Sequence, residues 1–114
     1  MSRNIFIGGA WPYANNSLHV GHLTALLPGD VIARYYREHG DNVIYVSGTD
    51  SHGTPITVRA KKEGVSPKSI AQHYHDEFKR NFKYLDFSYD LYTSTMSPYH
   101  EKLVKEYLKK IMDN

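Results

Sequence analysis

The chain has 114 residues, 40% of them hydrophobic and 23% charged, with a formal net charge of +2 and no cysteine. That length suits one domain, and the composition excludes a disordered chain and a disulfide or thiolate-zinc framework. So small a charge gives no argument for a nucleic-acid surface, and with no apolar run of transmembrane length and no signal core in MSRNIFIGGAWPY, a cytoplasmic chain without membrane contact is expected.

Residues 4–8, NIFIG, are a short β-branched run that predicts a buried strand ending at Gly8-Gly9. A loop follows to about Leu18. Leu23, Leu26, Leu27, Val31, Ile32 and Tyr35 then recur at helical spacing. Pro28-Gly29 interrupts them and predicts a kink or two abutting helices, because proline removes a backbone donor and crowds the preceding turn. Gly40 suits a C-terminal cap. Residues 43–47, VIYVS, predict a second buried strand, closed by Gly48. Thr54-Pro55, Ser66-Pro67 and Ser97-Pro98 each pair a hydroxyl N-cap with a proline at the first helical position. They open helices over 55–63, which ends at Gly64, over 67–85 and over 98–112. The second carries Ile70, Tyr74, Phe78, Phe82 and Leu85 on one face; the third carries Val104, Tyr107, Leu108 and Ile111. Residues 89–95, YDLYTST, predict a third strand.

Strands alternating with helices imply parallel pairing through right-handed crossovers. The fold expected is α/β: the N-terminal half of a doubly wound (Rossmann-like, HUP-type) parallel sheet of about three strands with flanking helices. Residues 1–114 then form a single incomplete nucleotide-binding domain. Its sheet edges are open, which predicts self-association of the isolated chain.

Ligands of such sheets bind beyond the carboxyl ends of the strands. GGAWPYANNSLHVGH follows the first strand and GTDSHGT the second, so Trp11, Tyr13, His19, His22, Asp50 and His52 converge on one edge. Taken alone, two histidines at a helix start are ordinary surface residues or local hydrogen-bonders. Gly21 argues for more, since glycine in a first turn costs about 1 kcal/mol relative to alanine and suits close approach of a flat group. Two chemical readings stay open. In one, His19, His22, Asp50 and His52 bind zinc, although the glutamate of a HExxH helix is missing. In the other, two imidazole donors and a helix N-terminus bind phosphate. The second is preferred because it uses the glycine and the fold as well. Asp50 reads either as a turn residue of GTDSHG or as an anchor for a substrate ammonium. Trp11 and Tyr13 read either as packing aromatics or as pocket walls. His73 and His75 read as surface residues.

HVGH at 19–22 resembles the HxGH signature of class I aminoacyl-tRNA synthetases, which related nucleotidyltransferases share. PYANNSLHVGH and GDVIARYYREHGDNVIYVSGTDSHGTPI resemble methionyl-tRNA synthetases through most of residues 4–60. Thr54 follows Gly53 where the isoleucine and valine enzymes carry leucine, which favours the methionine family. The stretch through YDLYTSTMSPYH resembles it more loosely. The resemblance implies that the methionine carboxylate attacks the α-phosphorus of ATP, that pyrophosphate leaves with magnesium, and that the acyl group then passes to tRNA. It assigns His19 and His22 to catalysis and to the triphosphate, Gly21 to room for adenine, and Trp11, Tyr13, Asp50 and His52 to the methionine side, with Asp50 on the ammonium. No metal ligand is assigned.

Two departures stand out. Asn15-Asn16 replaces the family's Asn-Gly, and asparagine tolerates left-handed backbone. Trp11 is bulkier than the usual apolar residue. The KMSKS-type lysine loop, the zinc-bearing insertion, the second half of the fold and the anticodon-binding helices are not in this sequence. The expectation is therefore part of a methionine–tRNA ligase, within a longer chain or beside a second subunit, inactive by itself and without a zinc site. The alternatives are a non-catalytic nucleotide-binding fragment and an HxGH nucleotidyltransferase with another substrate; the GTDSHGTPI block argues against the latter.

Overall fold

The computed structural model describes residues 1–113. In chain order the elements are β1 (Asn4–Gly8), α1 (Val20–Glu38), β2 (Asn42–Thr49), α2 (Thr54–Glu63), α3 (Pro67–Tyr84), β3 (Leu91–Ser94) and α4 (Pro98–Met112). The sheet order is β1-β2-β3 and both pairings are parallel. Phe6 lies opposite Ile44, and Val46 opposite Leu91. Parallel neighbours need a crossover, which α1 supplies between β1 and β2, and α2 with α3 between β2 and β3.

Several local expectations are corrected. Pro28 lies inside one helix, not between two. Its ring forfeits a single backbone bond, and burial of Leu26, Asp30 and Ala33 on one side of α1 holds the segment together. Thr54 does not cap α2; Gly53 does, with no side-chain bond, and Thr54 is already helical. Ser66 and Ser97 do cap, accepting the N–H groups of Ser69 at 3.1 Å and His100 at 3.2 Å. Gly48 does not close β2 but lies within it, opposite Thr93. β3 is shorter than 89–95 because Tyr89 and Asp90 turn into it from a loop held by side chains.

That loop is fastened to α1 by charge. Asp30, 5% exposed, accepts the Ser88 backbone N–H and hydroxyl, each at 2.6 Å, and Arg34 Nε at 2.7 Å. Arg37 bonds the Ser88 hydroxyl at 2.7 Å and Asp90 at 2.8 Å, while Asp90 also accepts the Tyr45 N–H of β2 at 2.7 Å. Burial alone would raise the Asp30 carboxyl, but the bonds from Ser88 and Arg34 outweigh it and hold the group below its ordinary value.

Helices α1, α2 and α3 cover one face of the sheet. Tyr45, Ser47 and Thr49 of β2 point under them and are buried, and the core gathers Leu26, Ile56, Ile70, Tyr74, Phe78 and Phe82. The opposite face is bare: Phe6 is 71% exposed, Ile44 56% and Leu91 55%. α4 buries no residue, so the stripe Val104, Tyr107, Leu108 and Ile111 is present but unpacked. Leu27, Val31, Ile32 and Tyr35 of α1 are exposed as well. The result is a two-layer slab of 53 × 43 × 19 Å, with a radius of gyration of 16.4 Å. A closed globule of this length would have about 13 Å.

Candidate active site

HVGH forms the start of α1, with His19 as N-cap in extended conformation. The Gly21 N–H donates to His19 Nδ1 at 3.1 Å, and the His19 N–H donates to His22 Nδ1 at 3.2 Å. The rings lie 4.0 Å apart. This reciprocal cap does with imidazoles what serine and glutamate do in an ordinary capping box. It also changes the expected anion site, because two backbone donors near the helix start are already engaged by the rings. Burial, and then the neighbouring His19, push His22 below the ordinary 6.5 and favour the neutral ring. A methyl group on Gly21 would stand 2.9 Å from His19 Cε1. The glycine therefore has a reason inside the protein: it leaves space for the His19 ring.

Across the edge, the loop after β1 joins the end of β2. The Asp50 N–H donates to the Pro12 carbonyl and the Ala14 N–H to the Asp50 carbonyl, both at 2.9 Å, bringing Tyr13 beside Asp50 in a parallel bridge. Asp50 Oδ1 accepts the His52 N–H at 3.3 Å. Trp11 lies over Gly48, on the bare side of the sheet. Trp11, Tyr13 and Asp50 thus form one group. His52 joins it through its backbone, while its exposed side chain borders a groove with Thr95, Met96, His100 and Glu101. The histidine pair is a second group, reached through residues 14–18 of the same loop. Among the described residues, no cluster of three or more histidines or acids could hold a metal ion, so the zinc reading of His19, His22, Asp50 and His52 is not what the geometry builds.

Periodicity did not reveal the contacts that support the site. Arg59 of α2 donates to the Asn15 carbonyl at 2.9 Å and to Asn16 Oδ1 at 3.2 Å, while also bonding Glu63 and lying over the Tyr74 ring. It holds the loop between the two groups, yet in sequence it reads as an ordinary surface pair with Glu63. Asn16 needs no left-handed backbone, since Asp86 is the one non-glycine residue with positive φ among the described residues. His75 is not a surface residue: it is half-buried, bonded to Thr49 Oγ1 at 2.8 Å and stacked on Tyr92. Thr49 also meets the Tyr92 hydroxyl at 2.9 Å, so this trio braces the residue that precedes Asp50. Burial, and secondarily Lys79, lower the His75 pKa.

A three-stranded parallel sheet with flanking helices, its first crossover helix beginning at HxGH and an acidic turn at the same edge, is a Rossmann-like α/β arrangement. The family model for class I tRNA synthetases (M) matches residues 5–114. Methionine–tRNA ligase 1 of Alkaliphilus oremlandii is 61% identical over 111 residues, which is 97% of this chain and 21% of that protein. A methionine–tRNA ligase of Streptococcus pneumoniae is 63% identical over 103 residues, covering 90% of this chain and 19% of that one. The solved structure of Mycobacterium tuberculosis methionyl-tRNA synthetase in complex with methionyl-adenylate superimposes with a TM-score of 0.85 at 30% identity, covering 88% of this chain and 20% of that one. The chain belongs to the methionyl-tRNA synthetase family. It spans about a fifth of the length of these relatives.

Proposed function

We propose that this chain is the opening part of a methionine–tRNA ligase: a single, incomplete nucleotide-binding domain that contributes one wall of the methionine-activating site. The observation that carries the reading is the sharing of one sheet edge by the HVGH cap and the Tyr13–Asp50 bridge, in a chain 61% identical to such a ligase. The methionine carboxylate is already a nucleophile, so no general base is needed. An oxygen of it attacks the α-phosphorus of ATP, the bond to the β-phosphate oxygen breaks, and pyrophosphate leaves. His19 and His22 donate to the triphosphate as charge shifts onto the leaving group, and Gly21 serves the same ATP side by letting the His19 ring seat on the helix start. Asp50 takes the methionine ammonium, and Trp11, Tyr13 and His52 border the amino-acid side. Magnesium bound to the triphosphate would supply charge neutralisation on the leaving pyrophosphate. The acyl group passes to tRNA with help from regions beyond this chain, in the cytoplasm.

The exposed Phe6, Ile44 and Leu91 face supports packing of the remainder of a synthetase there, as a longer chain or a second subunit. Without that cover, the same face and the open edges drive self-association. The test is a chimera in which residues 5–114 replace the matching stretch of the Alkaliphilus enzyme. Methionine-dependent ATP–pyrophosphate exchange is expected from the chimera, lost in its Asp50→Asn form through a raised KM for methionine, and absent from the isolated chain. A folded chimera without exchange, or robust exchange by the isolated chain, refutes the reading.

A further inference from the structure

We propose that HVGH is a self-locking unit that fixes both histidines as neutral Nε2–H tautomers, so that each presents one outward N–H donor. A backbone N–H can only donate, so the ring nitrogen receiving it must carry a lone pair. Gly21 donates to His19 Nδ1 and His19 donates to His22 Nδ1. A neutral imidazole has one proton, and in both rings it is therefore left on Nε2. Accepting a bond at Nδ1 also polarises the ring and strengthens the Nε2–H donor. The polarity of the helix start is thus carried outward through two rings rather than offered only by bare amides. Gly21 is the positioning residue. The 2.9 and 3.0 Å distances from its would-be Cβ to His19 Cε1 and Nδ1 leave no room for a side chain while the ring stays on its cap.

The functional consequence rests on the reading of HVGH as the triphosphate side of the site: the pair would act on the phosphates as two directed neutral donors, not as two cations. Long-range ¹H–¹⁵N correlation of the labelled 114-residue chain at pH 7.5 reads the tautomers directly, with His19→Asn and His22→Gln assigning the two rings. Nε2–H patterns at both are expected; an Nδ1–H pattern or an even mixture at either overturns the lock. In Gly21→Ala, His19 should lose its bias, and an unchanged His19 pattern removes Gly21 from the device. His19→Asn provides a variant that keeps a side-chain cap and withdraws the outward Nε2–H, leaving only a shorter amide N–H2 in its place. It should retain helix by circular dichroism and lose about tenfold in tripolyphosphate affinity, the worth of one hydrogen bond to a charged group. Unchanged affinity in that variant overturns the donor role. The two ideas separate cleanly. Locked tautomers beside an unchanged KM for ATP in the His19→Asn form of the chimera leave the lock standing and sink the phosphate reading. Mixed tautomers with binding intact do the reverse.

Discussion

Gly48→Ala tests whether the carboxyl end of β2 is shaped by Trp11. The added methyl carbon would lie 2.4 Å from Trp11 Cζ3, 2.6 Å from Cη2 and 2.6 Å from the Thr93 carbonyl oxygen. The last belongs to the backbone of a paired strand and has little freedom to retreat, so the indole must move by about 1 Å to restore van der Waals contact. Overpacking of this kind costs about 1–3 kcal/mol. The loss of chain freedom in the unfolded state offsets about 0.4–1 kcal/mol of it. The net expectation is destabilisation by about 1–2 kcal/mol, read as a lower urea midpoint by circular dichroism. Trp11 is the single tryptophan of the chain, so its emission reports the displacement independently. In a Trp11→Ala background the same substitution should cost about 1 kcal/mol less, because one of its two obstacles is gone. An unchanged or raised midpoint with unaltered emission would show that the indole does not require the glycine. In the chimeric enzyme, Gly48→Ala should raise KM for methionine more than it lowers kcat.

Other perturbations address the frame around the site. Asp30→Ala removes the acceptor of two Ser88 bonds and one Arg34 bond, and should cost about 2–3 kcal/mol in urea unfolding while loosening amide-exchange protection over residues 86–90. His22 and His75 both have folded-state pKa values lowered by burial, so the unfolded chain binds protons first; stability is full above about pH 6.5 and declines as the pH falls below it, with the decline smaller in His75→Gln. A urea midpoint that rises between pH 7 and pH 5.5 contradicts that sign. The bare sheet face predicts concentration-dependent association in sedimentation, reduced by Phe6→Lys with Ile44→Lys; a monomer at all concentrations contradicts it.

Much of this protein is decided locally. Short β-branched runs, proline at helix starts and the Ile70–Phe82 stripe fix their elements wherever the chain is placed, and the parallel crossover rule then sends the turns after β1 and β2 to one edge. That is why the six candidate site residues, far apart in sequence, could be assigned to a common edge. Contacts that depend on which surfaces meet were not readable. Arg59 looks like half of a surface ion pair until α2 swings it onto Asn15 and Asn16. His75 looks exposed until α3 lies over Thr49. The apolar stripe of α4 was legible, but periodicity reports only that a face is apolar, not whether anything in the same chain covers it; here it stays bare. The histidines divide the same way. Their types and spacing in HVGH mark them from sequence, whereas the folded helix start decides which ring nitrogen each one uses and why the residue between them has no side chain.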